Sequence, residues 1–121
     1  MKINRLGAFT LVLTIMTCTV TLCARYIHDQ KYDIYYNGAI DSIWFNDNGV
    51  YMQRDGDWQR VGGWNYVSSD ACNTVAVYFT IGEKRFSGSV DAMDKMKGLA
   101  IISSDGKWEV VNFMGVVNLN L

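Results

Sequence analysis

Residues 75 to 90 read Val-Ala-Val-Tyr-Phe-Thr-Ile-Gly-Glu-Lys-Arg-Phe-Ser-Gly-Ser-Val, and this stretch decides the fold. Apolar side chains alternate from Val75 to Ile81, and successive side chains of a strand point to opposite sides of a sheet. The Gly82-Glu83 pair predicts a turn, and the run from Arg85 to Val90 predicts a second strand that returns beside the first. The stretch therefore predicts an antiparallel hairpin with one apolar face.

The same pattern extends in both directions along the 121-residue chain. Runs rich in aromatic and β-branched residues recur about every 8 to 12 residues, and clusters of Asp, Asn, Gly and Ser separate them. Asp47-Asn48-Gly49 is a strong hairpin signal between two such runs. The pattern predicts seven to nine strands, drawn from the runs 32–36, 42–45, 50–54, 58–61, 64–67, 75–81, 85–90, 99–102 and 107–113, with 117–121 as a terminal edge strand.

The chain contains no proline, so the usual guard of an exposed strand edge is missing. Closure of the sheet protects its edges without proline. We therefore predict a mainly β fold: an antiparallel meander curled into a small barrel or a strongly twisted sheet.

One segment, residues 91–97, shows helical spacing. Asp91 is a suitable N-cap, Met93, Met96 and Leu99 lie roughly on one helical face, and Gly98 is a stop signal. We expect one short helix of one or two turns here.

The N-terminus has the features of an export signal. Lys2 and Arg5 precede residues 7–24, which contain no charged side chain, and basic residues before an apolar block keep the N-terminus in the cytoplasm. Residues 1–24 are thus predicted to be a hydrophobic export helix, either a signal peptide or a signal anchor, and residues 25–121 a single exported β domain.

Both fates of this helix remain open. Five threonines weaken it as a membrane anchor, and Ala24 is a suitable small residue before a cleavage site. Leu22 is bulkier than such a site prefers. The domain is expected in the periplasm or secreted, or else outside a cytoplasmic membrane in which residues 7–24 anchor it.

Charge limits the class of partner. Eleven basic residues less Lys2 and Arg5 leave nine in the exported part, against twelve acidic residues, a formal charge of −3. Nucleic-acid binding is therefore not expected, because it requires a basic surface. Cys72 is the only cysteine after residue 24, so a processed chain has no internal disulfide.

The sequence has no catalytic or metal-binding signature. The chain has one histidine, His28, close to the predicted cleavage point, which argues against a nucleophilic triad or a zinc site. Asp47, Asp55 and Asp57 lack the spacing of a calcium loop and are read as turn residues. We expect no enzyme activity and no cofactor.

A set of aromatic residues with polar neighbours is the candidate binding site. Aromatic faces supply apolar area, and amides or charges beside them orient a ligand such as a sugar ring or an apolar molecule. The same rings are also suited to fill the interior of a barrel. The candidate residues are Trp44, Tyr51, Trp58, Trp64, Tyr66, Arg54 and Arg60.

Two segments of this region, Phe-Asn-Asp-Asn-Gly-Val-Tyr at 45–51 and Gly-Trp-Asn-Tyr at 63–66, resemble the small exported lipocalin-like domains of bacteria. The resemblance covers about 22 residues. It implies a calycin-type barrel that holds a hydrophobic ligand.

The expected function is thus a non-enzymatic exported binding domain for a small apolar or sugar ligand or for an envelope protein. The alternative is a membrane-anchored inhibitor, immunity or accessory protein that acts on a protein partner.

Overall fold

The structure, a computed structural model, describes residues 27–68, 74–91 and 93–121. Within these ranges the chain forms nine β-strands and no helix. The strands are β1 (Lys31–Tyr36), β2 (Ala39–Asn46), β3 (Gly49–Arg54), β4 (Asp57–Gly62), β5 (Trp64–Ser68), β6 (Thr74–Ile81), β7 (Lys84–Asp91), β8 (Lys95–Ser104) and β9 (Lys107–Val117).

The strands form one antiparallel sheet in the order β4-β3-β2-β1-β9-β8-β7-β6-β5. Neighbours in the chain are neighbours in the sheet, except β4 and β5, which lie at its two ends. β1 additionally pairs with β9, with Tyr32 opposite Val117. This first-to-last pairing places the two halves of the meander side by side. The sheet is nearly closed and barrel-like, which confirms the mainly β, antiparallel prediction.

Closure depends on the bend between β4 and β5. β4 lies beside β3 and β5 beside β6, so one bent segment joins both ends of the strand order. The Gly82 amide donates to the Val61 carbonyl at 2.9 Å, and the Thr80 amide donates to the Gly63 carbonyl at 3.0 Å. At Gly62 a Cβ atom would lie 1.9 Å from the Thr80 carbonyl oxygen, so this close approach requires glycine.

Asn-Gly and Asp-Gly pairs make three of the tight hairpins. Asn37-Gly38, Asp55-Gly56 and Asp105-Gly106 each form a two-residue connection in which both residues have positive φ. Positive φ at both positions is the geometry that matches the twist of the flanking strands. These local pairs therefore set the register of three hairpins.

The interior is filled mainly by rings. Phe79 stacks on Phe86 with ring centroids 4.5 Å apart, and Phe113 meets Phe86 edge-on at 5.2 Å. Phe45 contacts Phe79 at 5.2 Å and Tyr32 at 5.6 Å. These five rings are buried and span the space between opposite strands of the sheet.

The predicted helix at 91–97 is wrong. Asp91 ends β7 and Lys95 begins β8, and a turn connects the two strands. The Asp91 carboxylate does accept backbone hydrogen bonds, from Met93 at 2.8 Å and Lys95 at 3.1 Å, but it caps this turn. These bonds lower the pKa of Asp91. Asx turns and helix caps use the same residue types, so local sequence did not separate them.

The predicted terminal edge strand at 117–121 is also wrong, because β9 ends at Val117 and lies between β1 and β8. The Asn118 amide donates to the Lys31 carbonyl at 2.8 Å, and the Asn118 side chain accepts a bond from the Asn120 amide. These bonds turn the chain out of the strand despite the alternating pattern.

The predicted export helix at 1–24 and Cys72 lie outside the described residues. In the described part no helix is long and apolar enough to cross a membrane.

Candidate functional site

The predicted aromatic residues lie in two separate places. Trp44, Tyr51 and Trp58 form the first cluster, on the outer face of β2, β3 and β4. Trp44 lies between the buried Ile43 and Phe45 and therefore points outward. Its ring centroid is 5.5 Å from that of Tyr51 and 5.4 Å from that of Trp58.

Two polar side chains hold this outer cluster. The Trp44 indole donates to the Asp29 carboxylate at 2.8 Å. The Lys31 ammonium lies 5.4 Å from the Trp58 ring centroid and 5.7 Å from that of Trp44, within cation–π range. The three rings are half-buried against one another and against Lys31.

Trp64 and Tyr66 form the second cluster, on β5. Trp64 lies opposite the buried Phe79, and Tyr66 lies opposite the buried Val77, so both rings are on the core side of the sheet. The Trp64 indole donates to the Asn46 carbonyl at 2.7 Å, and its ring contacts Phe45. Trp64 is therefore in part a core residue.

His28 covers the second cluster. Its ring meets Trp64 edge-on at 5.0 Å and Tyr66 at 5.6 Å, and its Nδ1 lies 2.8 Å from the Asp47 carboxylate. A shallow depression of about 450 Å³ lies beside these side chains and Asn65. The histidine thus occupies space that a ligand on the two rings would need.

Of the two predicted arginines, Arg60 lies opposite Tyr51 of the first cluster, but its side chain is engaged by the backbone. Arg60 donates from Nε to the Asn48 carbonyl at 2.9 Å and so ties β4 to the turn between β2 and β3. Arg54 is exposed at the end of β3, next to the hairpin turn. The seven predicted residues therefore do not form one site.

A larger apolar groove lies elsewhere, on the outer face of β5 to β9. Its volume is about 670 Å³, within the range of about 300 to 1,000 Å³ that small-molecule sites occupy. Four large side chains line it: Tyr78, Leu99, Ile101 and Val110, which are 47%, 51%, 42% and 62% exposed. Apolar side chains that share a concave surface and remain this exposed are typical of binding surfaces.

Strand register brings these side chains together. Ile101 on β8 lies opposite Val110 on β9 and opposite Arg85 on β7. Leu99 lies opposite Ser87, which in turn faces Tyr78 on β6. Two cross-strand rows therefore build the groove.

Of the residues that line this groove, sequence reasoning named only Trp64 as a candidate binding residue. The alternation from Val75 to Ile81 places Tyr78 on the side opposite the apolar face, and the structure agrees. A single exposed ring does not by itself predict a binding site. On β8, Leu99 and Ile101 alternate with the buried Ala100 and Ile102, so both faces of the strand are apolar. A strand with apolar side chains on both faces indicates that its outer face is also covered, and this was the signal that could have predicted the groove.

Tyr36, Asp41 and Lys84 form a polar tie between β1, β2 and β7. The Tyr36 hydroxyl donates to the Asp41 carboxylate, and the Lys84 ammonium donates to the Tyr36 oxygen at 2.6 Å. Burial, followed by the hydrogen bond to Asp41, raises the pKa of Tyr36, and the bond to Tyr36 raises the pKa of Lys84. The tie joins separate hairpins and serves the fold.

No group of three His, Cys, Asp or Glu side chains placed to hold a metal ion occurs in residues 27–68, 74–91 and 93–121. Comparison with known proteins found no matching family model, no matching curated protein and no matching solved structure. The resemblance of residues 45–51 and 63–66 to lipocalin-like domains thus stays a prediction.

Proposed function

We propose that this chain is an exported, non-enzymatic domain that binds a small apolar ligand in the groove on the outer face of β5 to β9. The observation that supports the proposal most is the concave, apolar lining of that groove, formed by side chains that stay about half exposed in the free protein. Covering such surface stabilises a complex by ~0.8 kcal/mol per buried CH₂ group.

The groove is a better candidate than the barrel interior. Phe79, Phe86 and Phe113 contact one another across the interior, and a ligand there would have to displace buried rings. Displacing well-packed core side chains costs several kcal/mol. Ligand access to the groove requires no such rearrangement.

The groove is also a better candidate than either aromatic cluster. Trp44 and Trp58 cover part of each other, and Lys31 covers both. His28 lies over Trp64 and Tyr66. In both clusters groups of the protein itself already contact the rings that a ligand would use.

A protein partner is the second candidate function, as for a membrane-anchored inhibitor, immunity or accessory protein. Outside the groove, Ile40, Tyr35 and Met114 form one cross-strand row over β2, β1 and β9, and they are 60%, 41% and 58% exposed. The row borders a depression of about 420 Å³, smaller than the groove, and its exposed apolar area suits contact with another protein.

Nile red, a neutral apolar dye whose fluorescence rises in apolar surroundings, tests the groove. Wild-type protein is expected to bind it at one site, and Ile101→Thr combined with Val110→Thr is expected to weaken binding at least tenfold. Threonine keeps the β-branched shape while removing apolar surface. Fluorescence titration measures the dissociation constants.

Val67→Thr is the matched control, because Val67 is 61% exposed on the outer face of β5 but does not line the groove. It should leave dye binding unchanged. Equal binding by wild type and the double variant would place the dye elsewhere and contradict the proposal.

A further inference from the structure

Arg85 is the only charged residue among those lining the groove in the described part of the chain. It lies on β7, with Thr80 opposite it on β6 and Ile101 opposite it on β8. Arg85 therefore has an apolar cross-strand neighbour on one side and a hydroxyl-bearing one on the other.

This arginine has no protein partner within the described residues. The ion pairs found there are His28 with Asp47 and Lys84 with Asp41, and the Arg85 side chain makes no hydrogen bond to another described residue. Most basic side chains of the described part likewise have no carboxylate partner, and what distinguishes Arg85 is its place in the apolar groove. The lining residues also include no Asp or Glu.

The groove therefore combines a single cation with an apolar lining. Arg85, Ile101 and Val110 form a row over three adjacent strands, which spans roughly 10 Å at about 4.8 Å between strands. A guanidinium presents several N–H donors in one plane and binds carboxylate or phosphate oxygens in pairs. Ser87, beside Arg85 on the same face, offers a further hydroxyl donor.

We infer that the ligand of the groove is a single-chain amphiphile with an anionic head, a carboxylate or a phosphate. The inference rests on the function proposed above. The head pairs with Arg85, and the apolar chain lies across Ile101 and Val110 toward β9. Charge complementarity selects this occupant over a neutral apolar molecule, because an anionic head accepts charge-assisted hydrogen bonds from the guanidinium that an uncharged ligand does not.

Isothermal titration with three ten-carbon compounds at monomeric concentrations tests the inference. Decanoate and decyl phosphate are expected to bind wild-type protein about tenfold more tightly than decan-1-ol. Arg85→Gln should remove that preference and leave the affinity for decan-1-ol unchanged, whereas Arg85→Lys should retain part of it. The preference should shrink in 0.5 M salt, because ions screen an exposed pair.

Lys97→Gln is the charge-matched control, because Lys97 is an exposed cation on β8 that does not line the groove. It should behave as wild type. If Arg85→Gln binds decanoate as tightly as wild type does, the assignment of the head to Arg85 is overturned.

The outcomes separate this inference from the proposed function. Equal affinity for all three compounds would contradict the inference of an anionic head but agree with an apolar binding site. Failure of all three compounds to bind would contradict both the inference and the proposed function. Flotation with phosphatidylcholine vesicles, with and without phosphatidylglycerol, distinguishes the source of the ligand. Protein that binds anionic vesicles but none of the monomers would show a membrane-facing surface and overturn the single-chain site.

Discussion

At the scale of single residues, Tyr36 shows how burial and hydrogen bonding make stability depend on pH. Its ring is 6% exposed, and its hydroxyl contacts both Asp41 and Lys84. Because the pKa of Tyr36 is raised from the ordinary value of 10.0, the folded protein keeps the phenol proton at pH values where the unfolded chain releases it. The contribution of Tyr36 to stability is therefore fully present below pH 10 and is lost as pH rises above it.

Tyr36→Phe is expected to lower the free energy of unfolding at pH 8 by about 1 kcal/mol, because two hydrogen bonds are lost. It should also reduce the decline in stability above pH 10, since the titrating group is gone. Urea denaturation at pH 8 and pH 11 measures both effects. Tyr78→Phe, at a ring that is 47% exposed, is the control and should keep the wild-type pH dependence. An unchanged decline in Tyr36→Phe would exclude Tyr36 as its source.

At the scale of elements, the pairing of β7 with β8 depends on two facing glycines. Gly88 lies opposite Gly98, and the ring of Phe113 approaches the position where a Gly88 side chain would begin. A Cβ on Gly98 would lie 2.1 Å from the carbonyl oxygen of Ser87. Since the obstacle is backbone, the strands themselves would have to separate.

Gly98→Ala is expected to lower the free energy of unfolding by about 2 kcal/mol, the typical cost of overpacking. Gly63→Ala is the matched control, because its Cβ would lie 3.6 Å from Arg60 Nη2 at ordinary contact distance. The control should change stability by less than about 0.5 kcal/mol. Urea midpoints for both variants decide the comparison, and equal midpoints would show that β7 and β8 accommodate a methyl group between them.

At the scale of the whole molecule, the kind of partner that the protein meets depends on the first 24 residues as well as on the β-sheet. A diffusible domain is free to meet a small ligand, whereas an anchored one stays near membrane partners. We expect most of the protein to be cleaved near Ala24, because the threonines among residues 7–24 weaken an anchor. The intact mass of protein from native membrane and soluble envelope fractions tests this. A soluble species that begins near Arg25 agrees with the expectation, and a membrane-bound species that retains Lys2 contradicts it.

Much of the fold was predictable because its signals are local. Alternation from Val75 to Ile81 and the turn at Asp47-Asn48-Gly49 are both present in the structure as β6 and the connection from β2 to β3. The helix at 91–97 was predicted wrongly, because Asp91 caps a tight turn with the same hydrogen bonds that begin a helix. The local sequence identifies Asp91 as a capping residue, but it does not determine whether the chain continues as a helix or as a turn.

The candidate site was less predictable, because it combines residues from distant parts of the chain. Trp44 and Trp64 are close in sequence but on opposite faces of the sheet, so the predicted aromatic set divides into two clusters. Arg85 and Val110 are far apart in sequence, and only β8 between them makes them neighbours across one face. The spacing of residues along the chain does not predict which residues lie side by side on adjacent strands.

By itself the sequence determined the class of fold, the strand-and-turn rhythm and the acidic charge of residues 25–121, because alternation, turn chemistry and ionisable groups are properties of short segments. Only the tertiary structure decided that β1 pairs with β9, that the bend at Gly62 brings the ends of the sheet together, and that an arginine lies at an apolar groove. These three features depend on contacts between residues far apart in the chain, and such contacts exist only after the sheet has curled.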